Sequence, residues 1–252
     1  MKIAIVGSGN IATFFAKKFQ AGGMEVVQII SANIEHAKEL AADFQCEYSD
    51  SISDLNYDAD AFVFAVKDDV LLQYAKTLNL HGKLVIHSAG SVHLNEIKNM
   101  STQIACLWCV YSINKNHLPD NESIPLVVNA NSESVLDKVN ILAKTISNNI
   151  FYLNDEQKST LHLAAVFANN FTNHLYAISK RITDTKNIPF ETLLPLISDT
   201  AHKLQNSLPA QNQTGPAIRG DEKTMQKHLE LLNEHTELVE IYKMLSKSIQ
   251  NT

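Results

Sequence analysis

The turn that joins the first predicted strand to the first helix constrains this chain more than any other stretch. In "MKIAIVGSGNIATFF" a short apolar run is followed at once by Gly7 and Gly9, and a helical pattern then begins. Gly7 permits the tight turn, and Gly9 leaves no side chain between the backbone and a pyrophosphate held at the helix N-terminus. Ala12, in place of a third glycine, still lets helix and strand approach closely. The pattern predicts a dinucleotide cradle, with a merely tight turn as the alternative, and the cradle residues are Gly7, Ser8, Gly9, Asn10 and Ile11.

Short β-branched runs alternate with helical patterns through the first half of the chain. Strands are expected in "KIAIVG", "EVVQIIS", "CEYSD", "AFVFAV", "KLVIHSAG", "QIACLWCVYSI", "IPLVVNA" and "IFYLN". Apolar runs without alternation are typical of strands that are buried on both faces of a parallel sheet. Strand and helix in alternation imply right-handed βαβ units. The sequence therefore predicts an α/β fold with a doubly wound, mostly parallel Rossmann sheet and a C-terminal all-α domain.

The C-terminal part of the chain changes character, because no convincing strand follows Asp155. We expect a helix from Glu156 to about Arg181, another within "PFETLLPLISDTAHKLQN", and a last one that runs unbroken through "DEKTMQKHLELLNEHTELVEIYKMLSKSI". The last pattern carries a stripe of leucines and histidines at helical spacing. Two domains are expected, a Rossmann-like dinucleotide-binding domain at 1–154 and a helical substrate and dimerisation domain at 155–252.

Composition narrows the class of partner. The formal net charge of -6 disfavours broad electrostatic binding to nucleic acid or anionic lipid. No apolar run approaches membrane-spanning length, and three cysteines make no disulfide framework, so we expect a cytoplasmic protein. Cys106 and Cys109 lie in a strand-like run and are interpreted as buried structural residues rather than metal ligands. The expected partner is a small-molecule substrate, with no nucleic acid, no membrane and no metal.

The end of the second predicted strand bears on the choice of dinucleotide. An NAD site places Asp or Glu there, roughly 20 residues after the glycines, to bind the ribose hydroxyls. Here "IISANIEHA" offers Ser31 and Asn33 and no acid at the strand tip. Hydroxyl and amide groups tolerate a 2′-phosphate that a carboxylate would repel, so NADP is favoured and NAD is the alternative. Asn33 also suits the N-cap of the next helix.

Two further segments follow predicted strands, at the edge of the sheet where ligands bind in such folds. "AVKDDVL" places Val66 and Lys67 along the cofactor, whereas Asp68 and Asp69 are better explained as the start of a helix. In "HSAGSV" four residues are expected to approach the nicotinamide end, and these are His87, Ser88, Ala89 and Gly90.

One face of the first long C-terminal helix is polar but almost uncharged. That face holds Lys158, His162, Asn169 and Asn173. No carboxylate, lysine or arginine occurs from Ser159 to Ser179. A solvated face would normally carry charges, whereas amides and an imidazole suit a cleft wall that binds a ligand. We expect His162 to exchange a proton during hydride transfer, and Asn169 or Asn170 to orient a carbonyl, imine or carboxylate.

A rigid and charged loop, "TGPAIRGD", interrupts the helical half. Asp221 is well placed to cap the helix that follows. Arg219 is not needed for a cap, and its guanidinium can bind a carboxylate or a phosphate through two parallel hydrogen bonds. We therefore expect Arg219 to bind a substrate carboxylate or a cofactor phosphate. The tripeptide RGD alone is too short to indicate adhesion.

Five stretches, taken in order, resemble a bacterial family with an N-terminal Rossmann-like domain and a C-terminal helical domain of unknown function. They are "GSGNIA", "VKDD", "HSAG", "LHLAAVFANNFTNHLY" and "TGPAIRGDEKTMQKHL". That family looks like a branch of the superfamily of pyrroline-5-carboxylate reductase, 6-phosphogluconate dehydrogenase, ketopantoate reductase and the deazaflavin-dependent NADP oxidoreductases. The resemblance implies an NADP-linked oxidoreductase that forms a homodimer through its helical domain.

The resemblance also suggests roles for particular residues. In several relatives a lysine and an asparagine one helical turn apart do the acid-base work, and Lys158 and His162 have that spacing here. Where many relatives carry His-Pro, this chain has Trp108 and Cys109. The chain is predicted to transfer a hydride between nicotinamide and a small carbonyl, imine or hydroxy-acid substrate bound between the domains. The alternative is a non-catalytic dinucleotide-binding sensor or interaction protein.

Overall fold

The computed structural model describes residues 1–119 and 123–251, and its N-terminal part is built on an eight-stranded sheet. The strands are β1 Lys2–Val6, β2 Glu25–Ile30, β3 Glu47–Ser49, β4 Ala61–Phe64, β5 Leu84–His87, β6 Gln103–Cys109, β7 Leu126–Ala130 and β8 Ile150–Tyr152. Their order in the sheet is β3-β2-β1-β4-β5-β6-β7-β8. The neighbours from β3 to β6 pair in parallel, β7 is antiparallel to β6, and β8 is parallel to β7. The predicted α/β fold with a doubly wound, mostly parallel sheet is confirmed.

Helices cover both faces of this sheet. They are α1 Asn10–Ala21, α2 Ile34–Ala42, α3 Asp68–Thr77, α4 Glu133–Ile146 and α5 Asp155–Ala165, with short 3₁₀ helices at Ile52–Asp54 and Leu94–Ile97. A π-helical segment, Val166–Phe171, continues α5 directly. Every helix in the described ranges is too short or too polar to span a lipid bilayer.

Side chains that alternate along each strand build two separate cores, one on each face of the sheet. Ile3 and Ile5 face the core that holds Phe15 of α1. Ala4 and Val6 face the other core, which holds Leu71 of α3. Because both faces are covered, most residues of the central strands are apolar, as the sequence indicated.

The helices that follow the neighbouring strands β1 and β4 lie on opposite faces of the sheet, and this arrangement opens a crevice. α1, which follows β1, packs in the first core, whereas α3, which follows β4, packs in the second. β1 and β4 are neighbours in the sheet. Ligands of doubly wound sheets bind in the crevice at the carboxyl ends of two such strands. The predicted cradle lies at this position.

The chain divides into two compact units, Met1–Thr172 and Asn173–Thr252. The last strand ends at Tyr152 and α5 begins at Asp155, which is where the composition of the sequence changes. α5 nevertheless belongs to the first unit, because Leu161 packs against the second core of the sheet. The change in secondary structure and the change in packing therefore fall at different residues.

The second unit is helical. It contains α6 Thr172–Asp184, which begins one residue earlier, followed by a 3₁₀ helix at Phe190–Leu193, α7 Leu194–Lys203, a 3₁₀ helix at Pro209–Asn212, α8 Glu222–Leu231 and α9 Thr236–Gln250. The prediction of one unbroken final helix is wrong, because the chain turns between α8 and α9. The turn brings Leu232 and Leu238 into one small core with Ile178, whereas Leu231 stays 75% exposed. On one straight helix, Leu232 and Leu238 would point to different sides and could not both contact Ile178.

Candidate functional site

The turn after β1 has a geometry that only glycine tolerates. Gly7 has φ +126°, and an added β-carbon there would lie 2.3 Å from the carbonyl oxygen of Ala65. The Gly7 amide donates to the Ile30 carbonyl oxygen at 2.7 Å. The turn is thereby pressed between the ends of β2 and β4, and any side chain at Gly7 would push the strands apart.

The start of α1 is open to a ligand. Gly9 is the N-cap and provides no side-chain hydrogen bond to the first amides of the helix. An added β-carbon on Gly9 would meet no protein atom within 4 Å. Free amides and the positive end of the helix dipole attract anions. The local structure thus fits the pyrophosphate of a dinucleotide, since the space over Gly9 is kept clear.

A cavity of about 820 Å³, here called the cradle cavity, extends from this turn. Its lining includes Gly7, Ser8, Gly9, Asn10, Ile11, Ser31, Val66, Lys67, Ser88, Ala89 and Gly90. All the predicted cofactor residues except Asn33 and His87 therefore lie around one cavity. Asn33 caps α2 instead, where its Oδ1 accepts from the His36 amide at 3.1 Å. The capping alternative thus describes the position of Asn33.

The ribose end of the cradle cavity carries hydroxyl groups and no acid. Ser8 Oγ and Ser31 Oγ lie 2.7 Å apart, and Ala32 follows in the lining. The acidic residue in the described lining of this cavity is Asp68. Its carboxylate accepts a hydrogen bond from the Ser91 hydroxyl. A 2′-phosphate at Ser31 would thus meet donors rather than a carboxylate.

A second cavity of about 820 Å³, here called the outer cavity, adjoins the first. It is lined by Trp108, Cys109, Val110, Tyr111, Ser112, Leu161, His162, Ala164, Ala165, Val166, Ala168, Asn169 and Asn170. Trp108 and His162 line both cavities. Their rings meet edge to face, with centroids 5.4 Å apart. This aromatic pair is the junction of the two cavities.

The π-helical segment determines which side chains form the wall of the outer cavity. It has one more residue in each hydrogen-bonded turn than an α-helix, and such segments are often found at functional sites. In this wider turn the adjacent residues Asn169 and Asn170 both line the cavity, together with Ala168. The structure therefore brings three of the predicted site residues together, His162, Asn169 and Asn170.

Gly90 lies directly against the two rings at the junction of the cavities. An added β-carbon on Gly90 would lie 2.5 Å from Cδ2 of His162 and 2.8 Å from Cε2 of Trp108. The loop backbone thus contacts both rings directly, and no larger residue fits without displacing one of them. The sequence predicted that Gly90 approaches the nicotinamide end, but it could not indicate the contact with these two rings, because they come from distant segments of the chain.

Lys158 does not line either cavity. Its side chain is fully buried, and Nζ donates to the Val92 carbonyl oxygen. The ammonium also pairs with Asp155 Oδ1 at 3.2 Å. Lys158 and His162 are therefore one turn apart on α5, but only His162 reaches the junction of the cavities.

Two polar side chains lie buried near Lys158 on the same face of the sheet. Burial, helped by the charge of Lys158, lowers the pKa of His87 to about 3. Its Nδ1 accepts from the Ala89 amide at 3.2 Å, which leaves the proton on Nε2, an atom without a hydrogen-bond partner in the described residues. Burial also raises the pKa of the Cys106 thiol to about 12. His87 is thus a neutral core residue beneath the loop rather than part of the cavity wall.

The two cysteines of the C-x-x-C pattern are buried and free. Cys106 faces one core of the sheet and Cys109 faces the other. Residues three apart on a strand point to opposite faces, so the pair cannot chelate one ion. Within residues 1–119 and 123–251, no group of three or more His, Cys, Asp or Glu side chains is arranged to hold a metal ion.

Arg219 and Asp221 belong to the helical unit. Asp221 caps α8, and its side chain accepts from the Thr224 amide at 3.1 Å and from the Thr224 hydroxyl at 2.8 Å. These hydrogen bonds lower the pKa of Asp221, with a smaller contribution from the charge of Arg219. The predicted cap is confirmed. Arg219 itself is exposed, and its role as a ligand remains a prediction.

Comparison with known proteins gives two family matches. Residues 124–249 match the model described as Domain of unknown function (DUF2520). Residues 2–90 match the model described as NADP oxidoreductase coenzyme F420-dependent. No curated protein matches the chain.

Several solved structures are similar over the whole chain. A candidate NADP oxidoreductase from Bacteroides fragilis is 33% identical, with a TM-score of 0.92 and coverage of 100% of this chain and 98% of that one. The 1-pyrroline-5-carboxylate reductase of Streptococcus pyogenes is 16% identical, with a TM-score of 0.63 and coverage of 100% and 99%. An imine reductase from Myxococcus stipitatus in complex with NADP⁺ is 16% identical, with a TM-score of 0.66 and coverage of 100% and 93%. The last two show the fold alone.

Proposed function

The chain belongs to the family of the domain of unknown function DUF2520, as its motifs predicted, and on that premise we propose that it is an NADP-dependent oxidoreductase. The match of residues 2–90 to NADP oxidoreductases and the fit of the cradle cavity both support this cofactor. The proposed substrate is a small carbonyl, imine or hydroxy acid, and its proposed position is the outer cavity.

The cradle cavity offers a group for each part of the dinucleotide. The segment Gly7–Ile11 would hold the pyrophosphate at the start of α1, and Ser31 would bind the phosphorylated ribose. Residues 88–90 would lie along the nicotinamide end. When bound, the reduced nicotinamide supplies the hydride, and the remaining chemistry falls to this chain's own side chains.

His162 is the proposed proton donor in the reducing direction. Its ring belongs to both cavities, so a substrate in the outer cavity can meet it next to the cofactor. An imidazole exchanges protons near neutral pH. As a hydride adds to the carbon of a C=O or C=N bond, the oxygen or nitrogen takes a proton from His162. In the oxidising direction His162 accepts that proton.

Asn169 and Asn170 are proposed to orient the substrate. Each amide offers both donors and acceptors, and both side chains line the outer cavity near His162. Arg219 is proposed to bind a substrate carboxylate or a cofactor phosphate, because an arginine beside a rigid turn can make two parallel hydrogen bonds. The resemblance implied acid-base work for Lys158, but its side chain is fully buried and lines neither cavity.

The observation that carries this proposal is that Trp108 and His162 line both cavities. The direct test is NADPH consumption with a panel of small ketones, cyclic imines and keto acids, with His162→Ala and His162→Gln beside the wild type. We expect at least one compound to be reduced by the wild type and both variants to lose on the order of 10²–10⁴-fold in kcat, as for loss of a general acid. Undiminished turnover in both variants would contradict the role of His162.

The alternative, a non-catalytic sensor, predicts a different outcome of the same experiment. The wild type would bind NADPH, no compound would be reduced, and His162→Ala would leave binding intact. The burial of Lys158 is the observation that favours it, because the lysine that serves several relatives would then be out of reach of any substrate.

We further propose that the protein is a cytoplasmic homodimer that forms through the helical domain. Residues 173–251 bury few large apolar side chains, and Ile178, Leu232 and Leu238 are the members of their core cluster. Many others stay exposed, among them Leu194, Leu196, Leu204, Leu208, Leu231 and Met244. A small unit with so little core usually gains stability from a partner. Sedimentation of the wild type and of Leu196→Glu tests this proposal. We expect the wild type to be a dimer and Leu196→Glu to dimerise more weakly, and a monomeric wild type would contradict the proposal.

The cysteines support the proposed cytoplasmic location. Three free cysteines suit a reducing cytoplasm.

A further inference from the structure

The loop that follows β5, residues 88–94, is fastened to the first turn of α5 by a buried ion pair. Lys158 Nζ donates to the Val92 carbonyl oxygen. Asp155 Oδ2 accepts from the Leu94 amide at 3.0 Å, and its Oδ1 lies 3.2 Å from Lys158 Nζ. The two members of the pair thus bind backbone groups two residues apart on the same loop.

The loop has two further side-chain attachments. His93, between Val92 and Leu94, has its Nε2 3.0 Å from Ser159 Oγ, which adds a third residue of α5. Ser91, which precedes Val92, donates its hydroxyl hydrogen to Asp68 Oδ2 at the start of α3. Asp68 itself lines the cradle cavity. The loop therefore bridges the cradle and α5 through hydrogen bonds with side chains of α3 and α5.

Gly90 lies within this fastened loop, directly against His162. The spacing is so close that an added β-carbon would overlap the imidazole at 2.5 Å. His162 lies one turn after Lys158 on the same helix. A shift of the loop relative to α5 would therefore change the contact of Gly90 with His162 and the passage between the two cavities.

The chemistry at Lys158 is that of a cross-link rather than of a reactive group. The ammonium has the Val92 carbonyl and the Asp155 carboxylate as partners. Burial raises the pKa of the Cys106 thiol, and the charge of Lys158 opposes part of that rise. A buried charge that is paired in this way is strongly disruptive to break.

We propose that the Asp155–Lys158 ion pair is a buried clamp that sets the position of loop 88–94 and, through Gly90, of the His162 imidazole at the junction of the two cavities. This rests on the proposed function, because His162 has a reaction to be positioned for only if the cavities hold cofactor and substrate. Lys158 is then a positioning residue that acts through the loop, and it touches neither ligand.

The test uses Trp108, the one tryptophan of the chain, which contacts both Gly90 and His162. Its emission maximum and its quenching by acrylamide report the packing of the loop without any cofactor. Lys158→Met removes the charge at nearly constant volume. Lys180→Met is the matched control, because it breaks the exposed Lys180–Asp184 pair on α6. We expect red-shifted, more quenchable emission in Lys158→Met and wild-type emission in Lys180→Met.

Kinetics separate positioning from direct catalysis. With a compound that the wild type reduces, Lys158→Met should lose on the order of 10²-fold in kcat, as for a displacement of about 1 Å, with little change in KM for NADPH. Loss of turnover with wild-type Trp108 emission would overturn the proposal, because Lys158 would then act on the substrate itself. Wild-type emission together with wild-type kcat would overturn it as well.

Two measurements keep the proposal testable if Lys158→Met does not fold. The double variant Asp155→Asn/Lys158→Met removes both charges and leaves no unpaired carboxylate, and its Trp108 emission should change in the same direction. In the wild type, hydrogen exchange should find the Leu94 amide protected to a similar degree as β5, and free exchange there would overturn the clamp. Neither measurement needs a cofactor, so a wild type that fails to bind NADPH would contradict the proposed function without deciding the clamp.

Discussion

Trp108 and His162 meet edge to face with ring centroids 5.4 Å apart, and each ring lines both the cradle cavity and the outer cavity. Trp108 comes from β6 in the sheet and His162 from α5 above it. Cofactor and substrate can therefore meet at a single pair of side chains.

Gly90→Ala should disturb the junction by overpacking. The new methyl group would lie 2.5 Å from Cδ2 of His162 and 2.8 Å from Cε2 of Trp108. We expect a loss of about 1–3 kcal/mol in the free energy of unfolding, measured with denaturant. The control is the same substitution in a His162→Ala background, where the loss should be smaller because one of the two colliding rings is gone. Equal losses in both backgrounds would show that the collision with His162 does not matter.

Gly7→Ala and Gly9→Ala should separate folding from cofactor binding. At Gly7 an alanine has an unfavourable φ of +126° and collides with the Ala65 backbone, so the variant should be clearly less stable. At Gly9 the added carbon meets no protein atom, so stability should be retained while NADPH affinity falls. Melting curves and NADPH titrations of both variants check this. Wild-type affinity in a stable Gly9→Ala would argue against a phosphate over that residue.

His87 should make stability depend on pH. Burial lowers the pKa of His87 in the folded protein to about 3 from its usual value of 6.5, so between these values the unfolded chain binds a proton that the folded chain does not. The contribution of His87 to the free energy of unfolding is thus fully present above pH 6.5 and is lost as the pH falls toward 3. Within that window the slope should be about 1.4 kcal/mol per pH unit. Unfolding free energies of the wild type should fall more steeply than those of His87→Asn, and parallel curves would contradict the assignment.

Cys106 and Cys109 should be inert in the folded protein. Burial raises the pKa of each thiol to about 12, so almost no thiolate is present near neutral pH. Iodoacetamide labelling followed by mass spectrometry should modify neither residue until the protein is unfolded. Rapid labelling of Cys106 in the native state would mean that the space beneath loop 88–94 is open to solvent.

Arg219→Lys and Asp221→Ala should have opposite profiles. Asp221 caps α8 through Thr224, so its loss should lower the melting temperature with little effect on ligand affinity. Arg219→Lys keeps the charge but removes the planar fork, and it should weaken ligand binding more than it lowers the melting temperature. Equal losses of both properties in Arg219→Lys would indicate a purely structural loop.

The cradle and the sheet could be predicted because their signals are local. Gly7 and Gly9 are defined by the turn in which they lie, and apolar strands follow from burial on both faces of the sheet. Asn33 fits the same rule, since its capping bond to His36 involves residues three apart in the chain. Each of these features could be predicted from residues that are close together in the sequence.

The surroundings of Lys158 could not be predicted in this way. Its burial depends on the Val92 carbonyl, which is separated from it by 66 positions. A helical wheel places Lys158 on the polar face and cannot indicate that another loop covers it. The break between α8 and α9 is likewise tertiary, because it is Ile178 that brings Leu232 and Leu238 together.

The proposed function requires NADPH to bind in the cradle cavity with its nicotinamide next to Trp108 and His162. The most direct measurement is energy transfer from the one tryptophan of the chain to bound NADPH, titrated with wild type and with Gly9→Asp. We predict strong, saturable quenching of Trp108 emission in the wild type, a weaker effect with NADH, and no effect in Gly9→Asp. Calorimetrically detected NADPH binding that leaves Trp108 emission unchanged, or no binding at all, would contradict the claim.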